Sequence, residues 1–171
     1  MWALWHVAAQ PEWRARLRAS GVHGEDTDRF VSEVLRLDQS EFVMRRATAP
    51  IDHEGPAGRI VVPAEWYVRV CTREIHRDDR GFADPARFDP DRFAVEGGVG
   101  NSRAVYAPFG IDHHACLGER LTRTFAQSFV FEAAHWELRT VTDGPTEMSR
   151  ARHWAPSTRW RLAVTAPAEV P

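Results

Sequence analysis

Lysine is absent from this 171-residue chain: all 22 basic residues are arginine, set against 24 acidic ones for a net charge of −2. A nucleic-acid binder with a uniformly basic surface is thereby excluded, although a local arginine patch is not. There are only two cysteines, Cys71 and Cys116, too few for a disulfide framework. That fits a reducing compartment and leaves a thiol free to act as a metal ligand. Long hydrophobic runs are missing as well. The apolar opening, Met1 to Ala9, is interrupted by His6, is too short to span a bilayer and lacks the basic stretch of a secretory signal. A soluble, cytoplasmic protein is the expectation. Repeats and low-complexity tracts are absent. What remains is globular in character: 43% hydrophobic and 27% charged residues, at a size that can bury a real core.

Helical patterning dominates the first 37 residues. Met1-Trp2-Ala3-Leu4-Trp5 reads like the middle of a buried helix rather than a frayed chain start. Pro11 suits a helix start, Trp13 and Leu17 share one face, and Ser20-Gly21 ends that helix. The next helix is expected over about Asp28 to Leu37, capped by Asp26 or Thr27, with Phe30, Val31, Val34, Leu35 and Leu37 as its apolar stripe. Glu33 and Arg36 flank that stripe about 60° apart, and on spacing alone they read as a surface ion pair of small energetic consequence.

Strands are expected at Glu41 to Ala47, Arg59 to Val62 and Trp66 to Val70, forming a hairpin-rich patch. From His76 to Gly100, Asp84-Pro85, Asp89-Pro90, Gly97-Gly98 and Gly100 argue for a long loop. A long helix then runs from Cys116 or Leu117 to about Trp136, with Leu121, Phe125, Phe129 and Ala133 four apart on a broad apolar face. Strand-like stretches at Glu137 to Val141 and Trp160 to Thr165 follow.

The stretch from Tyr106 to Gly118 carries the chemistry. A glycine-containing loop delivers a single cysteine, Cys116, to the start of the long helix. There a thiolate sits near the positive end of the helix dipole and near unpaired backbone N–H groups, which spread its charge. Gly118 leaves room for a large flat ligand to approach, and Phe109 is placed to cover the sulfur. His113, His114 and Cys116 invite a zinc reading, but no second ligand pair stands at a recognisable distance.

Phe109, Gly110, Asp112, His114, Cys116 and Gly118 fall in register with the heme-binding loop of the cytochrome P-450 superfamily, which this segment resembles. Glu33-Val34-Leu35-Arg36 looks like that family's Glu-x-x-Arg helix. Pro85-Ala86-Arg87-Phe88 looks like its Pro-x-Arg-Phe segment, and Asp89-Pro90-Asp91-Arg92-Phe93 continues the usual wording. Arg45-Arg46-Ala47 resembles the strand entry that supplies an arginine to a heme propionate. The resemblance runs from residue 1 to about residue 165.

The resemblance implies heme b (iron protoporphyrin IX) with Cys116 as the axial thiolate ligand of its iron. It implies His114 and Arg45 on the propionates, Phe109, Gly110 and Gly118 around the ligand, and Glu33, Arg36 and Arg87 as a buried ion triad. Phe42 and Val43, within Gln39 to Met44, would line the substrate pocket. Arg120 and Arg123 would face a ferredoxin or reductase partner, or else form a solvated face. Cys71 reads as a small packed hydrophobe.

The implied fold is mainly α with small antiparallel β hairpins. It corresponds to the C-terminal half of the P-450 fold, so residues 1–171 are expected to form a single partial domain. The implied reaction is O2-dependent monooxygenation of a small organic substrate. The acid–alcohol pair that delivers protons to oxygen in that family lies in the part not matched here. Catalysis by this chain alone is therefore not expected. The alternatives are one half of a split two-chain monooxygenase, needing a separate N-terminal half chain, and a non-catalytic heme-binding or interaction module.

Overall fold

The computed structural model describes residues 1–38, 42–94, 105–142, 146–148, 154–156 and 160–166. The glycines at 97, 98 and 100, and residues 39–41 of the expected pocket stretch, lie outside the described residues. The architecture is mixed and mainly helical, with small two-stranded antiparallel sheets.

Helix α1 (Trp2–Ala9) and helix α2 (Pro11–Ser20) are separated by a single residue, Gln10 (φ −124°, ψ 79°). The break is caused by Pro11, whose ring bars the preceding residue from helical torsions. Helix α3 spans Glu25–Leu37 and starts earlier than expected, with Gly24 at its N-cap in place of Asp26 or Thr27. Those two residues lie inside the first turn, where Glu25, Asp26 and Asp28 put negative charge at the positive end of the dipole. Thr27 turns its hydroxyl back to donate to the carbonyl of Gly21 at 2.7 Å.

After α3, strand β1 (Val43–Arg46) pairs with β4 (Tyr67–Val70), enclosing the hairpin of β2 (Ile51–Gly55) and β3 (Gly58–Val62). Strand β2 has no strong local signal, since Asp52, His53 and Glu54 are poor strand formers. Its partner decides the matter: Val62, Val61 and Ile60 pair with Ile51, Asp52 and His53 in register, and Arg59 reaches across to Asp52 at 2.9 Å. The short helix α4 (Thr72–Ile75) follows, then turns around Pro90–Phe93 and Asp112–His114. Helix α5 spans Glu119–His135, so Cys116 precedes the helix rather than opening it. Strand β5 (Glu137–Thr142) pairs with β8 (Arg161–Thr165), and β6 (Thr146–Met148) with β7 (Trp154–Pro156).

The core lies among α1, α2, α3, α5 and β5, around Val7, Trp13, Leu17, Phe30, Val31, Val34, Val130, Ala133, Ala134 and Leu138. Helix α3 buries Phe30, Val31, Val34 and Leu37 of the stripe its sequence announces and leaves Leu35 partly buried. Helix α5 buries only the Ala133 end of its stripe: Val130 and Ala134 complete the inner face, while Leu121 is 75% exposed and Phe125 72% exposed. Small residues let α5 lie close against α3 and α2, which turns its bulkiest side chains outward.

Candidate functional site

Two elements of the site are built around one buried ion pair. Glu33 and Arg36 sit one turn apart on α3, and both are fully buried. Arg36 donates Nε to Glu33 Oε2 at 2.7 Å and Nη2 to Oε1 at 2.8 Å. Its remaining donors go to three carbonyls: His76 at 2.7 Å, Pro85 at 2.9 Å and Arg87 at 3.1 Å. All five guanidinium N–H bonds are thus used. Glu33 Oε1 also accepts the backbone N–H of Asp89 at 2.8 Å and Nε of Arg92 at 3.2 Å. A buried pair satisfied this completely specifies geometry; removing either partner strands a charge at a cost of about 3–5 kcal/mol.

The third member of this triad is Arg92, not Arg87. The Arg87 side chain is 67% exposed and lies 3.6 Å from Asp89, contributing only its carbonyl to the network. Arg92 is buried against Glu33 and donates Nη1 to the Ala83 carbonyl at 2.7 Å. The signal was available: Pro90-Asp91-Arg92-Phe93 is a second copy of the Pro-x-Arg-Phe pattern.

The cysteine loop hangs from the same helix. Tyr106 donates its hydroxyl to the Ser32 carbonyl at 3.0 Å, and burial pushes its pKa up to about 12. Ala107 donates its N–H to Nε2 of His76 at 3.1 Å. The loop then turns tightly: Gly110 donates to the Ala107 carbonyl at 3.1 Å and takes φ +79°. A side chain there would also press on the His114 carbonyl oxygen at 3.0 Å, so torsion and space both favour glycine. Cys116 closes the turn by donating its N–H to the Phe109 carbonyl at 2.8 Å. Its residue is exposed, and Cys71 is half-buried.

Arg45 on β1 and His114 in the loop line one cavity of about 340 Å³, together with Val43, His76, Gly110 and Ile111. Chain segments far apart in sequence therefore bring two cationic or hydrogen-bonding groups to one recess. Val43 belongs to this lining; Phe42 instead lies beneath the Arg69 guanidinium, 4.1 Å from the ring centroid. Arg120 is exposed on α5. Arg123 is drawn inward, 23% exposed, donating to the Ser32 hydroxyl at 3.2 Å with its guanidinium 5.6 Å from the Phe109 ring centre. It braces the loop against α3. His76 carries no sequence signal of its own, being one histidine in a turn-rich stretch.

Among the described residues, no group of three or more His, Cys, Asp or Glu side chains could hold a bare metal ion. No described helix is long and apolar enough to cross a membrane.

Residues 26–132 match the family model described as Cytochrome P450. Among curated proteins, the chain is 32% identical over 118 residues to cyclooctat-9-en-7-ol 5-monooxygenase of Streptomyces melanosporofaciens, covering 68% of this chain and 25% of that protein. It is 36% identical over 121 residues to cytochrome P450 BJ-3 of Bradyrhizobium diazoefficiens, covering 68% and 27%. It is 27% identical over 158 residues to cytochrome P450 6k1 of Blattella germanica, covering 83% and 30%. The chain spans about a quarter of the length of the curated relatives it matches.

Proposed function

The chain belongs to the cytochrome P450 family, and on that premise we propose that it is the proximal, heme-thiolate part of a monooxygenase. The observation that carries the reading is the shared cavity: Arg45 and His114 wall one recess beside the loop that presents an exposed Cys116. The donor set fits heme b. A thiolate would ligate iron, and the guanidinium and imidazole would hold the propionates by charge-assisted hydrogen bonds. Gly118 fits too. Among the described residues a Cβ there would meet only the Cys116 sulfur at 3.7 Å and the Thr122 hydroxyl at 3.8 Å, both ordinary contacts, and a bare glycine leaves that spot open for a flat ligand. Bound heme supplies the activation of O2 for insertion of one oxygen atom into a small organic substrate. The chain's own residues grip the ligand, hold the loop and shape one wall of the pocket through Val43. Arg120 lies on the face where a ferredoxin or reductase would dock.

The exposed face of α5 favours cover by the rest of the family's fold. Leu117, Leu121, Phe125 and Phe129 form an outward stripe, continued by an apolar groove of about 270 Å³ between Leu4, Phe129, Trp136, Leu138 and Val164. Patches of this kind are covered in working proteins. The rest of the fold, which the relatives carry, is the cover proposed for it, and turnover is expected only with that part present.

The test is the ferrous-CO difference spectrum of the chain reconstituted with hemin. A red-shifted Soret band typical of thiolate ligation is expected, lost in Cys116→Ala and kept in Cys71→Ala. A band typical of histidine-ligated or free heme in the unsubstituted chain would overturn the reading. Product formation by the isolated chain would overturn the need for that part.

A further inference from the structure

We infer that His76 is a positioning residue for the Cys116 loop, an acceptor imidazole that passes the geometry of the buried Glu33–Arg36 pair to the loop's entry. The inference rests on the heme-thiolate reading only for its consequence at the cofactor; the link itself is a property of the chain.

His76 is 1% exposed and is held from two sides. Its carbonyl accepts Nη1 of Arg36 at 2.7 Å, and its Nε2 accepts the N–H of Ala107 at 3.1 Å. The ring is further fixed by Tyr106, tilted at 5.3 Å, and by Phe82, edge-on at 6.1 Å. Because Nε2 accepts, the neutral ring carries its proton on Nδ1, which has no hydrogen-bond partner among the described residues. An imidazolium would point N–H at N–H and lose the link. Burial and the Arg36 charge push the His76 pKa down to about 4, which keeps the acceptor form at neutral pH.

The bonds then run in series. Arg36 holds the His76 carbonyl and His76 holds the Ala107 N–H. The Ala107 carbonyl takes the Gly110 N–H, and the Phe109 carbonyl takes the Cys116 N–H. Pro108 has no N–H to offer, so Ala107 supplies the last backbone donor before the turn's Phe109. Tyr106 ties the same segment to α3 through Ser32 by a bond in which His76 takes no part. Loss of His76 should therefore loosen the loop's orientation without releasing it from the core.

The experiment uses the full chain, His76→Gln and His76→Leu. Glutamine can place an acceptor oxygen near the Nε2 position; leucine cannot accept. In the heme-free chain, hydrogen exchange at the Ala107 amide is expected to be at least tenfold faster in His76→Leu than in the unsubstituted chain, with α3 amides unchanged as the folding control. His76→Gln should restore most of the protection. After hemin loading, His76→Leu should show a severalfold lower fraction of thiolate-type ferrous-CO band, again rescued by glutamine. Unchanged Ala107 exchange in His76→Leu would overturn the link, and so would a glutamine variant as defective as the leucine one. An altered exchange rate with an unaltered thiolate fraction would overturn the positioning role. If the unsubstituted chain itself shows no thiolate band, the heme reading fails, while the exchange measurement still decides the link.

Discussion

Acidification from pH 7 to pH 5 should weaken the fold through His76 alone by about 2 kcal/mol, the result of integrating over its shifted titration. The imidazole titrates near its ordinary value of 6.5 in the unfolded chain and at about 4 when folded. Between these values the unfolded state binds a proton that the folded state refuses, so stability falls as pH falls. The full shift is worth about 3 kcal/mol; it is wholly present above pH 6.5, is lost progressively below it, and is exhausted under pH 4. A change of about 2 kcal/mol is some twentyfold to thirtyfold in the unfolding equilibrium. The assay is urea unfolding followed by far-ultraviolet circular dichroism at pH 7 and pH 5, on the unsubstituted chain and on His76→Gln. Glutamine does not titrate, and every other group is common to both proteins. The difference between their pH-dependent losses therefore isolates His76. Equal losses, within about 0.5 kcal/mol, would refute the reasoning, because the ring would then take up its proton as readily in the folded chain as in the unfolded one.

Arg92→Ala should cost about 2–3 kcal/mol in urea melts, because it takes a charged partner from a fully buried Glu33, whereas Arg87→Ala should cost less than about 0.5 kcal/mol. Similar costs for the two would return Arg87 to the triad. Arg45→Ala and His114→Ala should each weaken hemin binding about tenfold to a hundredfold, read by spectroscopic titration, since each removes one charge-assisted bond. Phe125→Gln on the outer face of α5 should leave the urea midpoint within about 0.5 kcal/mol and reduce self-association seen by sedimentation velocity, because surface changes of this kind touch no core contact. A large loss of stability there would mean that the stripe is packed within the chain.

Much of the site was legible because it rests on local patterns with few physical solutions. A glycine that must take positive φ, a cysteine six residues further on and a Glu-x-x-Arg pair one helical turn apart all keep their meaning in isolation. The hairpin strands β3 and β4 were legible for the same reason, through β-branched and aromatic residues. Strand β2 was not, since its ladder depends on the partner across from it.

Sequence by itself determined that Glu33 and Arg36 meet, since residues three apart on a helix are neighbours in any environment. It determined the family, and that Cys116 lies close to the start of a long helix; the structure moved that start to Glu119. Tertiary structure decided which Pro-x-Arg-Phe copy reaches Glu33, for the two copies are the same words and only the path of the turns buries Arg92 and leaves Arg87 in solvent. It also decided which face of α5 is the inner one. Both faces carry apolar residues, and close approach to α2 and α3 selects Val130 and Ala134 over Leu121 and Phe125. The role of His76 belongs to the same class. A hydrogen bond between a turn after α4 and the entry to the cysteine loop joins segments that only the folded chain brings together.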